Sequence, residues 1–166
     1  MPAENRGLDM GQRIRAALLL LGAAAAFAGP GAADTWTNST PGRADRAFYS
    51  TTSGGMQLQL GCFSRDTGLA FMLAGGATPL PEVGDLMVWI MLPDGRTGRY
   101  PMSGVDYLGG PENALIGQLL LGQQGMEFFA AGARISIDGP PGQEIFAAGM
   151  TGTSAARRDF ARICGL

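Results

Sequence analysis

Histidine and lysine are both missing from the 166 residues, and cysteine occurs only twice. The first absence removes Ser-His-Asp and Cys-His nucleophile systems. The second removes Ser-Lys dyads and Schiff-base chemistry. Two cysteines without histidine supply no Cys/His set for zinc and no haem-attachment motif. No glycine-rich segment follows a strand pattern with phosphate-loop spacing, and no Asp-rich loop has calcium-ligand spacing. All 12 basic residues are arginine, against 14 acids, for a net charge of −2. Scattered arginine on an acidic chain leaves no electrostatic footprint for nucleic acid.

What is present begins with a targeting pattern. Arg13 and Arg15 precede an apolar run, Ala16–Phe27, and then helix breakers and small residues, Ala28–Ala33. That is the layout of a secretory signal peptide. The run is shorter than the roughly 20 residues a spanning helix needs, so no stable membrane insertion is expected after cleavage. Cleavage is expected after Ala33, with Ala28 as the alternative, and Met10 is as good a start as Met1. The division is therefore 1–33 signal peptide and 34–166 a single exported globular domain, periplasmic or secreted. Losing three arginines and two acids leaves nine against twelve, net −3. The remaining length suits one domain with a real core.

Glycine, at 27 residues, is more than twice its usual share and falls between apolar runs, which reads as frequent tight turns. Met56, Leu58, Leu60 and Cys62 share one face of a period-two strand, with Gln57 and Gln59 on the other. Leu69, Phe71 and Leu73 alternate again across the turn at 64–68, giving a hairpin over 56–74. Leu86–Leu92 (LMVWIML) is apolar on both faces and predicts a central strand covered on both sides, closed by Pro93-Asp94-Gly95. Arg96–Met102 is polar and holds Pro101, which predicts an edge strand, and Val105–Leu108 adds a short one. Ala114–Leu121 fits either a strand or the first turns of a helix, whereas Gln123–Ala131 reads as helix stopped by Gly132. Ala133–Asp138 is a strand, Asp138–Gly142 a turn, and Gln143–Ala148 the return. A final helix spans Ser154–Cys164, capped by Thr151 or Thr153 and stopped by Gly165, with Ala156, Phe160, Ile163 and Cys164 on its apolar face. The fold class is mainly β (α+β): antiparallel, sandwich-like sheets with the C-terminal helix and a further short helix packed on them.

The chemistry left open is carboxylate work, as in paired Asp/Glu glycoside hydrolysis. Asp66, Asp94 and Asp138 lie close to glycines in predicted turns, where Asp is favoured for local hydrogen bonding. Asp159 is placed on the exposed face of the last helix, and Asp106, Glu112 and Glu127 form no recognisable set. Trp36 reads as a core anchor in preference to a sugar-stacking platform, and Trp89 as packing inside its strand. Leu119-Leu120-Leu121 with Met126, Phe128 and Phe129 reads as core in preference to a partner patch. Arg157 and Arg158 pair with acids or water in the plain reading and with an acidic partner in the sharper one.

Trp36, Leu-x-Leu-x-Cys at 58–62, Ile-Phe-Ala-Ala-Gly at 145–149 and a final helix ending in Cys164 form a layout that resembles small exported bacterial proteins, among them the VasI-like accessory proteins of type VI secretion loci. The chain lacks the aromatic, charged middle between the cysteines that the resemblance leads one to expect. In that set the paired cysteines tie the last helix to a strand. The residues here lead the same way: export and an even cysteine count favour pairing, and the strand and helix patterns turn Cys62 and Cys164 into one core if the helix lies on that sheet. A Cys62–Cys164 disulfide is expected, the alternative being two buried free thiols. The functional expectation is a non-catalytic accessory or interaction domain, not an enzyme, with an unidentified protein partner in the cell envelope and no cofactor or metal. The alternatives are a carboxylate-dependent cell-wall glycan hydrolase and a carrier of a small apolar ligand held between sheet and helix.

Overall fold

The computed structural model describes residues 35–63, 68–76, 80–81, 85–108 and 113–166, with the side chains of 103 and 104 excepted. The expected signal peptide, the turn with Asp66 and the acid Glu112 lie outside the described residues. The strands are β1 (Thr37–Asn38), β2 (Arg46–Ser53), β3 (Met56–Phe63), β4 (Leu69–Gly75), β5 (Met87–Met91), β6 (Thr97–Leu108), β7 (Ala114–Leu119), β8 (Arg134–Gly139) and β9 (Gln143–Gly149). Helix α1 is Gly122–Ala131, and α2 is Thr153–Asp159, continued by a π-helical turn at Phe160–Cys164. All strand pairs are antiparallel, in the order β1-β2-β3-β4-β7-β6-β5-β8-β9. The expected β-rich fold with a C-terminal helix on the sheet is what the chain adopts.

Alternation explains the core. Leu58, Leu60 and Cys62 of β3 face inward with Leu69, Phe71 and Leu73 of β4, Val88 and Ile90 of β5, and Ile135 and Ile137 of β8. One cluster thus draws on both halves of the sheet. The junction is β6. Its first part pairs with β5 over Thr97–Pro101, and its second pairs with β7 from Met102 onward, across a bulge between Ser103 and Asp106. The expectation of an edge strand is therefore wrong. Pro101 is tolerated because its missing N–H falls where the strand exchanges partners, and Met102 N–H donates to the Leu86 carbonyl at 3.1 Å.

The two ends of the strand order also meet. Thr35 forms a parallel bridge with Thr151. Trp36 donates its backbone N–H to the Thr151 carbonyl at 2.8 Å and its indole N–H to the Gly149 carbonyl at 3.1 Å. Gly152 lies against the Trp36 carbonyl with φ +95°, so this join needs a residue without Cβ for both space and backbone. The Trp36 ring stands edge-on to Phe129 of α1 at 5.3 Å, Phe129 lies 6.1 Å from Phe160, and Phe160 is edge-on to Tyr49 of β2 at 5.8 Å. Four aromatic rings therefore hold both helices to the seam.

Local chemistry departs from expectation at the helix ends. Neither Thr151 nor Thr153 caps α2. The N-cap is Gly152, left-handed and without a side-chain bond, and the Thr153 hydroxyl turns back to the Met150 carbonyl at 2.8 Å. Gly165 does stop the final turn in the left-handed conformation, whereas Gly132 ends α1 in an extended one. Residues 114–119 settle as strand β7 between β4 and β6.

Candidate docking face and pocket

Cys62 and Cys164 form a disulfide, their Cα atoms 6.1 Å apart, and both are buried in the core cluster. The bond joins β3 to the π-helical turn. Asp159 reinforces this tie. It accepts hydrogen bonds from the Tyr49 hydroxyl at 2.7 Å and from Arg162 at 2.8 Å. The carboxylate is thus half-buried, not on the exposed helix face. The Arg162 guanidinium, followed by the Tyr49 hydroxyl, holds its pKa below the usual carboxylate range. Burial and the neighbouring carboxylate push the Tyr49 phenol up to about 12.

Strand β5 holds the largest departure from expectation. It is covered on one face only: Val88 and Ile90 are fully buried, while Met87, Trp89 and Met91 lie on the outer face, Met91 at 39% exposure. Trp89 is therefore not core packing. Its indole N–H donates to the Asp138 carboxylate at 2.8 Å, and the Arg99 guanidinium sits 5.5 Å from its ring centroid. Register accounts for both contacts, since Arg99 is directly opposite on β6 and Asp138, opposite Met87, is a diagonal neighbour on β8. Asp138 is a strand residue and not part of the turn, which falls at Pro140–Gly142.

Trp89 and Asp138 each border two open depressions. One, of about 430 Å³, is bordered by Met91, Thr97, Ser136 and the Arg134–Glu144 ion pair at 2.7 Å. The other, of about 570 Å³, is bordered by Asp85, Met87, Arg99 and Pro140. Sequence reasoning missed this face because it counted LMVWIML as uniformly apolar. The signal lay in residue type: aliphatic Leu86, Val88, Ile90 and Leu92 alternate with the softer Met87, Trp89 and Met91.

A separate pocket of about 420 Å³ lies where β4 and β7 meet the helices, lined by Leu69, Leu119, Leu121, Met126, Leu166 and Arg157 among others. Leu119, Leu121, Met126 and Phe129 are buried as expected and Phe128 is half-buried against the core, whereas Leu120 is 49% exposed.

The remaining acids do not converge. Asp94 forms a turn hydrogen bond to the Arg96 N–H at 3.0 Å, which with the Arg96 side chain lowers its pKa, while Asp106 and Glu127 are exposed on different elements. No group of three or more His, Cys, Asp or Glu side chains able to hold a metal occurs among the described residues. No described helix is long and apolar enough to cross a membrane. No protein-family model, curated protein or solved structure matches the chain.

Proposed function

We propose that the protein is an exported, non-catalytic interaction module of the bacterial cell envelope that docks a protein partner through the Trp89 face. The observation that carries this reading is a half-buried tryptophan fixed on the outer face of a sheet by its contacts with Asp138 and Arg99, and bordering two depressions. Tryptophan, arginine and methionine are the residues enriched where proteins meet, and a rigid aromatic anchor costs little entropy on binding. The partner is a surface offering an aliphatic side chain to a depression and a carboxylate to Arg99. Binding is favoured over hydrolysis because two of the face's carboxylates are already engaged, Asp138 by the indole and Glu144 by Arg134, which leaves Asp85 without a second carboxylate to work with. A disulfide closing the domain supports export to an oxidising compartment, periplasmic or outside the cell. An accessory role of the VasI-like kind belongs to the same proposal.

The test is recovery of partner proteins from the native envelope fraction on the tagged full chain. Trp89→Ala abolishes recovery of a specific partner, and Phe63→Ala, on the outer face of β3, leaves it intact. Equal recovery by both variants, or degradation of purified peptidoglycan by the wild-type protein, overturns the reading.

A further inference from the structure

The two depressions beside Trp89 follow one another along β5. One takes Met87 with Asp85 and Arg99, and the other takes Met91 with Thr97 and Ser136. Met87, Trp89 and Met91 are successive outward residues of one strand. The interval from Met87 to Trp89 and that from Trp89 to Met91 are therefore centred about 6.6 Å apart. An extended chain laid along β5 repeats the side chains of one face at that same interval. The floor is open to it, with Met91 39% exposed and Met87 and Trp89 half-buried.

Chemistry separates the two depressions. At the Met91 end Arg134 is held by both oxygens of Glu144, so the ion pair is closed and the floor is the apolar surface of Met91 and Trp89. At the Met87 end the Arg99 guanidinium rests on the Trp89 ring, and no hydrogen bond or ion pair is recorded for it among the described residues. Its planar fork of donors suits a carboxylate. Asp85 and the Ser136 hydroxyl likewise have no recorded hydrogen bond among the described residues. They suit main-chain N–H groups, which an extended segment leaves unpaired and the middle of a helix does not.

We infer, on the reading that this face docks a partner, that the docking element is an extended segment running along β5. It carries an aliphatic side chain in the Met91 depression and, two residues away, a carboxylate on Arg99. The residue between them points away from the sheet, and its backbone crosses Trp89.

Titration of the oxidised full chain with short peptides, read on the Trp89 indole N–H signal by NMR, tests the assignment. Trp89→Phe identifies that signal against Trp36. The probe is acetylated, amidated Thr-Glu-Thr-Leu-Thr-Glu-Thr, which offers a glutamate two residues from leucine whichever way the segment runs. Thr-Thr-Glu-Leu-Glu-Thr-Thr has the same composition but turns both glutamates to the other face. The first peptide shifts the signal saturably, and the second binds at least about tenfold more weakly. Replacing the glutamates of the first by glutamine also weakens it at least about tenfold, the ratio one charge-assisted hydrogen bond supplies. Arg99→Gln, a change of an exposed side chain, abolishes the preference for glutamate over glutamine. Equal affinity of the two isomers overturns the inference, as does no saturable shift up to about 5 mM, near the weak end of specific recognition. A shift produced by N-acetylglucosamine oligomers or by concentrating the protein alone, with none from the peptide, also overturns it in favour of a glycan or a second copy. The wider reading fails separately: envelope-partner recovery that survives Trp89→Ala sinks the docking face itself, whereas Trp89-dependent recovery with indifferent peptides sinks the extended segment alone.

Discussion

Removing the Cys62–Cys164 bond takes away a large share of the stability that holds the helical end to the sheet. The two residues are 102 apart in sequence, so the cross-link spans most of the described domain, from β3 to the last turn. For a closed loop of about 100 residues the chain-entropy model gives about 4.7 kcal/mol, an upper figure because engineered and native bridges often deliver less. A typical domain has about 5–15 kcal/mol in total. The bond also fixes the π-helical turn beside Phe160, which is itself fully buried and continues to dock the helix after reduction. The reduced protein therefore stays folded at low denaturant with a much lower midpoint. Urea unfolding monitored by tryptophan fluorescence checks this on the oxidised chain, the reduced chain, Cys62→Ala, Cys164→Ala and the double variant. Alanine is preferred to serine because both positions lie in the core, where an unpaired hydroxyl adds its own penalty. The two single variants fall by similar amounts and the double variant is little worse than either, since one bond is lost in all three cases. A loss on reduction below about 1 kcal/mol, or additive single-variant losses, refutes the reasoning.

Phe160→Ala costs about 3–5 kcal/mol in the same assay, because its ring is fully buried against Tyr49 and Phe129. Thr51→Val raises stability by about 1 kcal/mol, since the buried Thr51 hydroxyl has no hydrogen-bond partner among the described residues. Tyr49 has a folded-state pKa raised to about 12, so its contribution is complete below about pH 10 and is lost as pH climbs toward 12. Alkaline unfolding of Tyr49→Phe lacks that component. Asp159 has the opposite sign: its depressed pKa adds stability above the ordinary carboxylate range, lost on acidification, and Asp159→Asn flattens the acid limb.

The elements that were legible in sequence are those whose pattern is local. Alternation at Met56–Cys62 and Leu69–Leu73 gave the β3–β4 hairpin, and the spacing of Ala156, Phe160 and Cys164 gave the inward face of the last helix. The disulfide followed from those two faces together. What escaped was set by tertiary pairing. Pro101 sits mid-strand because β6 changes neighbours there, and no local signal carries a change of partner. Asp159 looked solvated because Tyr49, 110 residues earlier, is brought to it only by the fold. In the sequence Trp89 reads as core, because a hydrophobic residue in a hydrophobic strand is usually buried. Its outward position depends on which face of β5 the sheet encloses.

Site-specific photo-cross-linking tests the docking face most directly. A benzophenone side chain in place of Met91, beside Trp89 and partly exposed, is compared with the same group in place of the exposed Gln57 on β3, both in cells that make the protein naturally. A discrete adduct with an envelope protein forms from position 91, disappears when Trp89→Ala is added, and is absent from position 57. Adducts of equal yield from both positions, or an adduct at 91 that persists without the indole, contradict the assignment of this face as the docking surface.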